Sequence, residues 1–146
     1  MAEQENDKKR LQLKIIALDQ ILYDDYITQA AITTTSGNMV ILKNHMPIAA
    51  IMEDAPVFVK DEQGNEEIIA VHGGYMSVHE NEFLIVADDA VFAREIDNAR
   101  VQEDIRRNEE LIAKGSADEL SLARAEIQLK RDIMNLKVYD IFSKKR

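Results

Sequence analysis

The sequence contains no cysteine and no tryptophan, and it has four tyrosines, four phenylalanines and two prolines. The absence of cysteine excludes disulfide bonds, thiolate catalysis and cysteine-ligated zinc. No apolar run approaches the roughly 18–20 residues that a membrane-spanning helix needs, so we expect no direct membrane insertion. The first ten residues, MAEQENDKKR, lack the apolar centre of a signal peptide. We interpret residues 1–10 as a disordered tail.

The charge is acidic overall and unevenly distributed. The formal net charge of −9 argues against nucleic acid as a partner, because a basic surface supplies that affinity. Residues 1–90 hold 16 acidic and 6 basic side chains, whereas residues 91–146 hold 11 and 12. Within residues 120–146, seven basic side chains accompany three acidic ones. We expect this basic segment to be attracted either to the acidic body of its own chain or to an acidic partner.

The N-terminal part has the pattern of short strands. Leu11, Leu13 and Ile15 alternate with polar residues, which is the period of a half-buried strand. Gly73-Gly74 predicts a bulge or a close approach of two backbones. The other strand-like segments are residues 21–34 (as one strand or as two separated at Asp24-Asp25), 39–42, 48–52, 55–60, 66–71, 75–79 and 83–87. Their spacing predicts an all-β sandwich over residues 11–87.

The last part, residues 88–146, has the pattern of a helical hairpin. Asp88 and Asp89 are candidate N-caps for a first helix over residues 90–113, and Gly115 is the residue type that ends a helix most cheaply. Ser116 and Glu119 have the spacing of a capping box that starts a second helix of about 26 residues. The fold class is therefore α+β: an N-terminal sandwich followed by an antiparallel helical hairpin. Two apolar stripes on the second helix exceed what one partner helix covers.

The sequence offers little catalytic chemistry. The three histidines, His45, His72 and His79, are not spaced as a metal pair with a carboxylate, and we predict no metal site. Gly73-Gly74 lacks the lysine and the helix of a phosphate-binding loop. The adjacent carboxylates are typical of solvated turns rather than of acid–base pairs. We therefore predict no catalytic residues and no enzyme activity for the chain alone.

Several ordered segments carry a resemblance to a known family. They are SGNMVILKNHMPI (36–48), VHGGYMSV (71–78), FLIVADDA (83–90), AREIDNARV (93–101), RAEIQLKR (124–131) and NLKV (135–138). Together, over residues 11–146, they resemble the epsilon subunit of the F-type ATP synthase. The chain departs from the family pattern at Ala17-Leu18, where Thr-Pro is usual, and at Asn38, where an acidic residue is frequent.

The resemblance implies a non-catalytic rotor subunit in the central stalk of the proton-translocating ATP synthase, at the cytoplasmic face of the cell membrane. Its sandwich would be held by the gamma subunit and would rest on the ring of c subunits. By the same resemblance Asn38, Asn44 and His45 are candidates for contact with the c-ring; the alternative is that they form ordinary surface turns. A free-standing cytoplasmic ATP sensor or adaptor of the same architecture is the alternative function.

The hairpin is the regulator in this family. Extended, its basic second helix meets an acidic segment of a catalytic beta subunit and blocks ATP hydrolysis. The resemblance and the charge distribution make Arg124, Lys130, Arg131 and Lys137 the candidates for this contact. The alternative is a solvated charged face, which contributes little energy.

Some family members also bind ATP in the folded hairpin, as a regulatory ligand rather than a required cofactor. Asp97, Arg100, Arg107 and Arg131 stand at or near the positions that the resemblance assigns to the nucleotide. Against this, Val91 replaces a polar residue, Val101 an alanine and Asn135 an arginine, so charge-assisted hydrogen bonds would be missing. The alternative is that the four residues form ordinary links between the helices.

Overall fold

The structure is a computed structural model that describes residues 10–115 and 118–145. It divides between Phe92 and Ala93 into a β unit and a helical unit, which are described separately here. The predicted fold class is confirmed, since nine strands within the described residues precede two α-helices. Residues 1–9 of the predicted tail and Ser116 of the predicted capping box lie outside the described residues.

The β unit has a strand at each predicted strand segment and one further strand, at residues 89–92, that the sequence did not predict. The strands are β1 (Leu11–Ala17), β2 (Gln20–Thr34), β3 (Gly37–Leu42), β4 (Ile48–Ile51), β5 (Ala55–Asp61), β6 (Glu66–His72), β7 (Tyr75–His79), β8 (Glu82–Ala87) and β9 (Asp89–Phe92). Strand β2 is continuous through Asp24-Asp25, and its register shifts between Ile21 and Tyr23 opposite β1 and between Ile27 and Gln29 opposite β5. Two-residue turns with positive φ join β1 to β2 at Leu18-Asp19 and β7 to β8 at Glu80-Asn81, a conformation that matches the twist of paired strands.

The long strand β2 joins the two parts of the sheet. Its first half pairs with β1, and its second half pairs with β3 on one side and β5 on the other. The strand order is β4-β7-β8-β1-β2-β5-β6-β9, with β3 attached to β2. Strand β1 also pairs with β8 in parallel. The sheet therefore has two groups of strands that share β2, as a sandwich requires.

One apolar core fills the β unit. In β1 buried and half-buried residues alternate through the whole strand, as the sequence pattern predicts. Leu13, Ile15, Ile41, Val57 and Ile85 have no exposed surface. The cluster draws buried side chains from β1, β2, β3, β5, β6, β7 and β8, and Phe92 adds one from β9. Such burial contributes about 1.5–3 kcal/mol for each large apolar side chain.

Two sequence predictions near the ends of the β unit were wrong. Residues Asp89–Phe92 form strand β9, which pairs with β6, so the first helix does not start at residue 90 and neither Asp88 nor Asp89 is its N-cap. The backbone N–H and C=O groups of these residues form hydrogen bonds with β6 at the edge of the sheet instead of within a helix. Arg10, assigned to the tail, lies with its guanidinium 3.7 Å from the centre of the Tyr26 ring and bonds Glu62. Cation–π and charge-assisted contacts hold it on the sheet.

The helical unit begins with a short 3₁₀ turn, Ala93–Glu95, followed by α1 (Asn98–Lys114) and α2 (Glu119–Lys144). Asp97 is the N-cap of α1, and its carboxylate accepts the Arg100 amide at 3.2 Å. Gly115 ends α1 in the left-handed conformation, with φ of 59°. The N-cap of α2 is Asp118, two residues after the predicted Ser116; its carboxylate accepts the Ser121 amide at 2.8 Å.

Helix α1 packs against α2, which confirms the hairpin. Val101, Ile105 and Ile112 of α1 are half-buried, whereas Ala125, Asp132 and Val138 of α2 are buried. Neither helix, in the ranges that the structure describes, is both long and apolar enough to cross a membrane.

Candidate partner-binding and regulatory sites

The c-ring candidates lie in two turns of the β unit. Asn38 is the second residue of β3 and is exposed; its side-chain oxygen accepts the Thr33 hydroxyl at 2.8 Å. His45 follows β3, and its Nδ1 lies 2.8 Å from the Met46 carbonyl oxygen. Met46, the next residue along the chain, is 72% exposed. Asn38 and Met46 are exposed and His45 is half-buried, so a partner could contact them without a rearrangement of the core.

Asn44 has a structural role that the sequence did not indicate. Its amide donates to the side-chain oxygen of Asn81 at 2.6 Å, and the Asn81 side-chain amide donates back to the Asn44 side chain at 3.1 Å. Asn81 is 6% exposed, and its carbonyl accepts the Gln12 amide at 2.9 Å. This pair fixes the 43–47 loop to the β7–β8 turn and to the start of β1. Asn44 is exposed, but its backbone amide and its side chain are both bonded within the fold.

The β unit also presents apolar side chains on its outer surface. Val40 and Leu42 of β3 are 50% and 51% exposed. Val40 pairs with Ala31 of β2, and Ala31 pairs in turn with Phe58 of β5. Pro56, Phe58 and Val40 line a shallow groove of about 410 Å³ across these three strands. Exposed apolar surface that continues across several strands is typical of a protein-binding face.

The face with acidic character lies around Tyr23 of β2. Burial, followed by the charges of Asp25, Asp61 and Glu67, raises the pKa of Tyr23 to about 12. The phenol therefore stays protonated at neutral pH. The carboxylates are consistent with the excess of acidic residues in the β unit, and the region would repel an acidic partner and attract a basic one.

The nucleotide candidates on α1 lie at its N-terminal end and along one side. Asp97 uses one carboxylate oxygen to cap the helix. Arg100 and Arg107 are exposed, and their spacing of seven residues places them about 20° apart around the helix axis. Leu111, four residues after Arg107, projects about 40° from it. Arg100, Arg107 and Leu111 therefore share one side of α1.

An ion network lies next to Arg107 on α1, since Glu103 precedes that arginine by four residues. Arg106 bonds Glu110 at 2.9 Å and Glu103 at 2.5 Å. The hydrogen bond from Arg106 lowers the pKa of Glu103 and raises the pKa of Arg106 in return. All three side chains are exposed, so the network contributes little to stability. Arg106 was not a candidate, and its neighbours neutralise it.

The four basic candidates on α2 lie on two different sides of the helix. Arg124 and Arg131 are seven residues apart and share one side, with Arg124 exposed and Arg131 half-buried. Lys130 and Lys137 are each six residues past one of these arginines, which places them about 120° around the helix. Both lysines are exposed. A single flat partner would therefore contact the arginines or the lysines, but not all four equally.

A groove between α1 and α2 is lined by two of the basic candidates, Arg124 and Arg131. It has a volume of about 520 Å³. Its lining residues are Asn108, Leu111, Ser121, Arg124, Ala125, Ile127, Gln128 and Arg131. Arg124 and Arg131 are the basic candidates among these lining residues, whereas Arg100 and Arg107 of α1 are not among them. Asp97 caps the far end of α1, about 15 Å along the helix from Arg107.

The sequence of the β unit matches a known protein family. Residues 10–93 match the family model for the β-sandwich domain of the ATP synthase delta/epsilon chain. The chain belongs to this family. The matched range ends one residue past β9, which agrees with the extent of the β unit.

Relatives in the family match about nine-tenths of the chain, so the similarity extends into the hairpin. The ATP synthase epsilon chain of Pediococcus pentosaceus is 37% identical over 131 residues, which cover 88% of this chain and 94% of the relative. The epsilon chain of Bacillus licheniformis is 35% identical over 130 residues, covering 89% and 98%. That of Latilactobacillus sakei is 35% identical, covering 90% and 94%.

Solved structures share the fold. A chain of the Euglena gracilis mitochondrial ATP synthase has a TM-score of 0.69 at 20% identity, with 86% of this chain and 79% of that chain covered. A chain from the central stalk and c-ring of the Tetrahymena thermophila mitochondrial enzyme has a TM-score of 0.53 at 14% identity, with 90% and 94% covered. At these identities the likeness supports the architecture alone.

Proposed function

We propose that the chain is a non-catalytic rotor subunit of the proton-translocating ATP synthase, located in its central stalk at the cytoplasmic face of the membrane. The observation that carries the proposal is the match of both units, in chain order, to epsilon chains of almost the same length. This match favours the subunit over the free-standing ATP sensor. In this role the β unit binds neighbouring subunits, and the hairpin regulates hydrolysis.

The β unit offers two kinds of surface for such neighbours. The apolar outer face of β3 and β5 around Val40 and Phe58 suits the gamma subunit, because apolar contacts dominate stable interfaces. Asn38 and His45 remain candidates for polar contact with the c-ring. Asn44 contributes by holding the loop that carries His45, through its bonds to Asn81.

The hairpin offers a basic surface for an acidic segment of the beta subunit. Arg124 and Arg131 project from one side of α2, and Lys130 and Lys137 project from another. Attraction between such a surface and an acidic partner supplies orientation and speeds encounter. We propose that the hairpin inhibits ATP hydrolysis through this contact.

Replacement of Arg124, Lys130, Arg131 and Lys137 by alanine should raise ATP hydrolysis by the assembled enzyme several-fold, because each charge pair lost at an interface weakens binding. Hydrolysis is measured on purified complexes that contain equal amounts of the chain. The control variant replaces Lys14 and Lys60 of the β unit by alanine and should leave hydrolysis unchanged. If the quadruple variant hydrolyses ATP at the wild-type rate, the inhibitory role is wrong.

ATP is proposed as a weak regulatory ligand of the hairpin. Arg100 and Arg107 present two guanidinium groups on one side of α1, as polyphosphate binding requires. Asn135 lacks the charge that the family pattern has at this position. We therefore expect a dissociation constant on the order of 1 mM, about −4 kcal/mol.

The variant Asn135→Arg should tighten ATP binding by at least about tenfold, since one charge-assisted hydrogen bond contributes about 1.5–3 kcal/mol. Isothermal titration calorimetry of the isolated chain measures the dissociation constants of the wild type and of the variant. Ala123→Arg adds the same charge at an exposed position of α2 and should change the dissociation constant by less than about threefold. Absence of heat for both the wild type and Asn135→Arg would exclude the nucleotide site.

A further inference from the structure

We propose that two copies of the free chain associate through the outer face of strands β4, β7, β8, β1 and β2. The contact is a row of apolar side chains that crosses these five strands, and a two-fold axis along β8 relates the two copies. This inference concerns the chain on its own and does not depend on the proposed function. The row, called the outer row below, consists of Ile51, Tyr75, Val86, Ile16 and Ile21.

The strand register places these five side chains in one line. Ile51 of β4 pairs with Tyr75 of β7, and Tyr75 pairs on its other side with Val86 of β8. Val86 pairs with Ile16 of β1, and Ile16 pairs with Ile21 of β2. Residues that lie directly opposite each other in neighbouring strands have their side chains on the same face of the sheet. Four strand spacings of about 4.8 Å make the outer row about 19 Å long.

The outer row faces away from the apolar core. Ile15 and Ile85, which precede two of its members along β1 and β8, have no exposed surface, and successive side chains of a strand point to opposite faces. Ile51, Tyr75 and Ile21 are 62%, 53% and 59% exposed. The two members in the middle of the row are half-buried. Exposed apolar side chains that line up across five strands are typical of a protein-binding face.

The order of the outer row suits a second copy of the same chain, because an isologous interface needs a patch that is complementary to itself. Val86 stands in the middle of the row, and both ends are isoleucines of similar exposure, Ile51 and Ile21. Two sheets that pack face to face keep their strands nearly aligned. With the two-fold axis along β8, Ile51 of one copy then packs on Ile21 of the other, and Val86 packs on its own counterpart. The same rotation brings Tyr75 onto Ile16.

The charged side chains beside the outer row are compatible with this contact. Lys14 and Asp24 pair with each other in the next row of the sheet, which continues through β8 to Ser77 and Ala49. The two-fold axis places Lys14 opposite Ser77 of the other copy, and Asp24 opposite Ala49, so no like charges meet in this row. Glu82 would approach its own counterpart, but it lies about 13 Å from the outer row along β8. The contact is therefore confined to one end of the sheet.

A dimer with this small contact should be weak. Two rows of side chains about 19 Å long cover less than the roughly 800 Å² per partner of a standard interface. Each copy also carries a formal net charge of −9, so the two copies repel each other. We expect a dissociation constant on the order of 100 μM that decreases as salt is added, because salt screens the repulsion while the apolar contact remains.

Sedimentation equilibrium of the full-length chain, at concentrations on both sides of this constant, tests the dimer. Ile51→Glu and Ile21→Glu should each weaken it by at least about tenfold, because a carboxylate would be buried against an isoleucine. Val40→Glu and Leu42→Glu make the same kind of change on β3, at residues that are 50% and 51% exposed, and should alter the constant by less than about threefold. Circular dichroism checks that all four variants are folded. A chain that is monomeric at every concentration, or equal losses in all four variants, would overturn the proposal.

Cross-linking tests the two-fold axis separately. The chain has no cysteine, so a single introduced cysteine is the sole thiol. In Val86→Cys the two thiols of the dimer face each other across sheets about 10 Å apart, and a short bismaleimide should join them. Two copies of Ile51→Cys have their thiols at opposite ends of the outer row, about 20 Å apart, and should not be joined, whereas Ile51→Cys mixed with Ile21→Cys should be. If Val86→Cys forms no cross-linked dimer, or Ile51→Cys alone forms it as readily, the proposed axis is wrong.

Discussion

Gly74→Ala should destabilise the β unit by at least about 3 kcal/mol, which is at the upper end of single-substitution effects. Gly74 lies between β6 and β7 with φ of 96°, and a Cβ atom there would overlap the Val86 carbonyl oxygen and lie 2.7 Å from the Ala87 Cα. These are backbone atoms of β8, which pairs with both β1 and β7, so they cannot move without disturbing two ladders. Urea unfolding monitored by circular dichroism measures the loss.

Gly64→Ala is the control for Gly74→Ala because the two glycines have similar positive φ angles. Gly64 has φ of 88° in the β5–β6 turn, and nothing lies within 4 Å of its added Cβ. Its substitution should cost about 1–2 kcal/mol, the cost of the left-handed conformation for a residue with a side chain. The difference in unfolding free energy between the two variants measures the cost of the steric overlap at β8. Equal losses would mean that the close approach of the two backbones contributes nothing.

This close approach was one of the features that the sequence predicted. Adjacent glycines in a strand pattern are typical of a bulge or of neighbouring backbone, and the structure has the second. Alternation in β1 likewise predicted a strand with one buried face, which is confirmed. Both predictions depend on local chemistry: a glycine permits contact that other residues prevent, and a strand has a period of two. The parallel pairing of β1 with β8, by contrast, could not be read from either strand.

Prediction from the sequence failed where contacts between distant residues determine the structure. Strand β9 has four residues and is followed by a helical pattern, so its affinity for β6 is not visible locally. Asn81 is a typical turn residue, and its burial follows from bonds to Asn44, which is 37 residues away. At the start of α2, Ser116 and Asp118 are both good N-caps, and local preference does not distinguish them. The structure has Asp118.

The candidate sites were predictable as residue types but not as surfaces. Arg124, Lys130, Arg131 and Lys137 were grouped because they are basic and belong to one helix. Helical geometry divides them into two pairs, and this division can be derived from their spacing alone. The participation of α1 through Leu111 needed the structure, because the register of the hairpin depends on where α1 and α2 begin and end. Asp118 sets the start of α2, and Gly115 sets the end of α1.

Truncation of the chain after Asp88 should destabilise the β unit by at least about 3 kcal/mol relative to truncation after Phe92. The longer fragment keeps β9, whose Phe92 belongs to the apolar core and whose backbone pairs with residues 69–72 of β6. The shorter fragment loses the buried phenyl ring, which contributes about 1.5–3 kcal/mol, and leaves the edge of β6 open. Thermal and urea unfolding of the two fragments measure the difference.

The position of this cut decides how the hairpin should be removed in a functional experiment. A deletion that starts at residue 90 would remove most of β9 together with the helices, so a loss of assembly would be ambiguous. The fragment that ends at Phe92 removes the helical unit and keeps the sheet complete. Phe92→Ala within this fragment separates the side chain from the backbone ladder, and should account for about 3 kcal/mol or more. If the fragment that ends at Asp88 unfolds at the same urea concentration as the longer one, β9 is not part of the stable β unit.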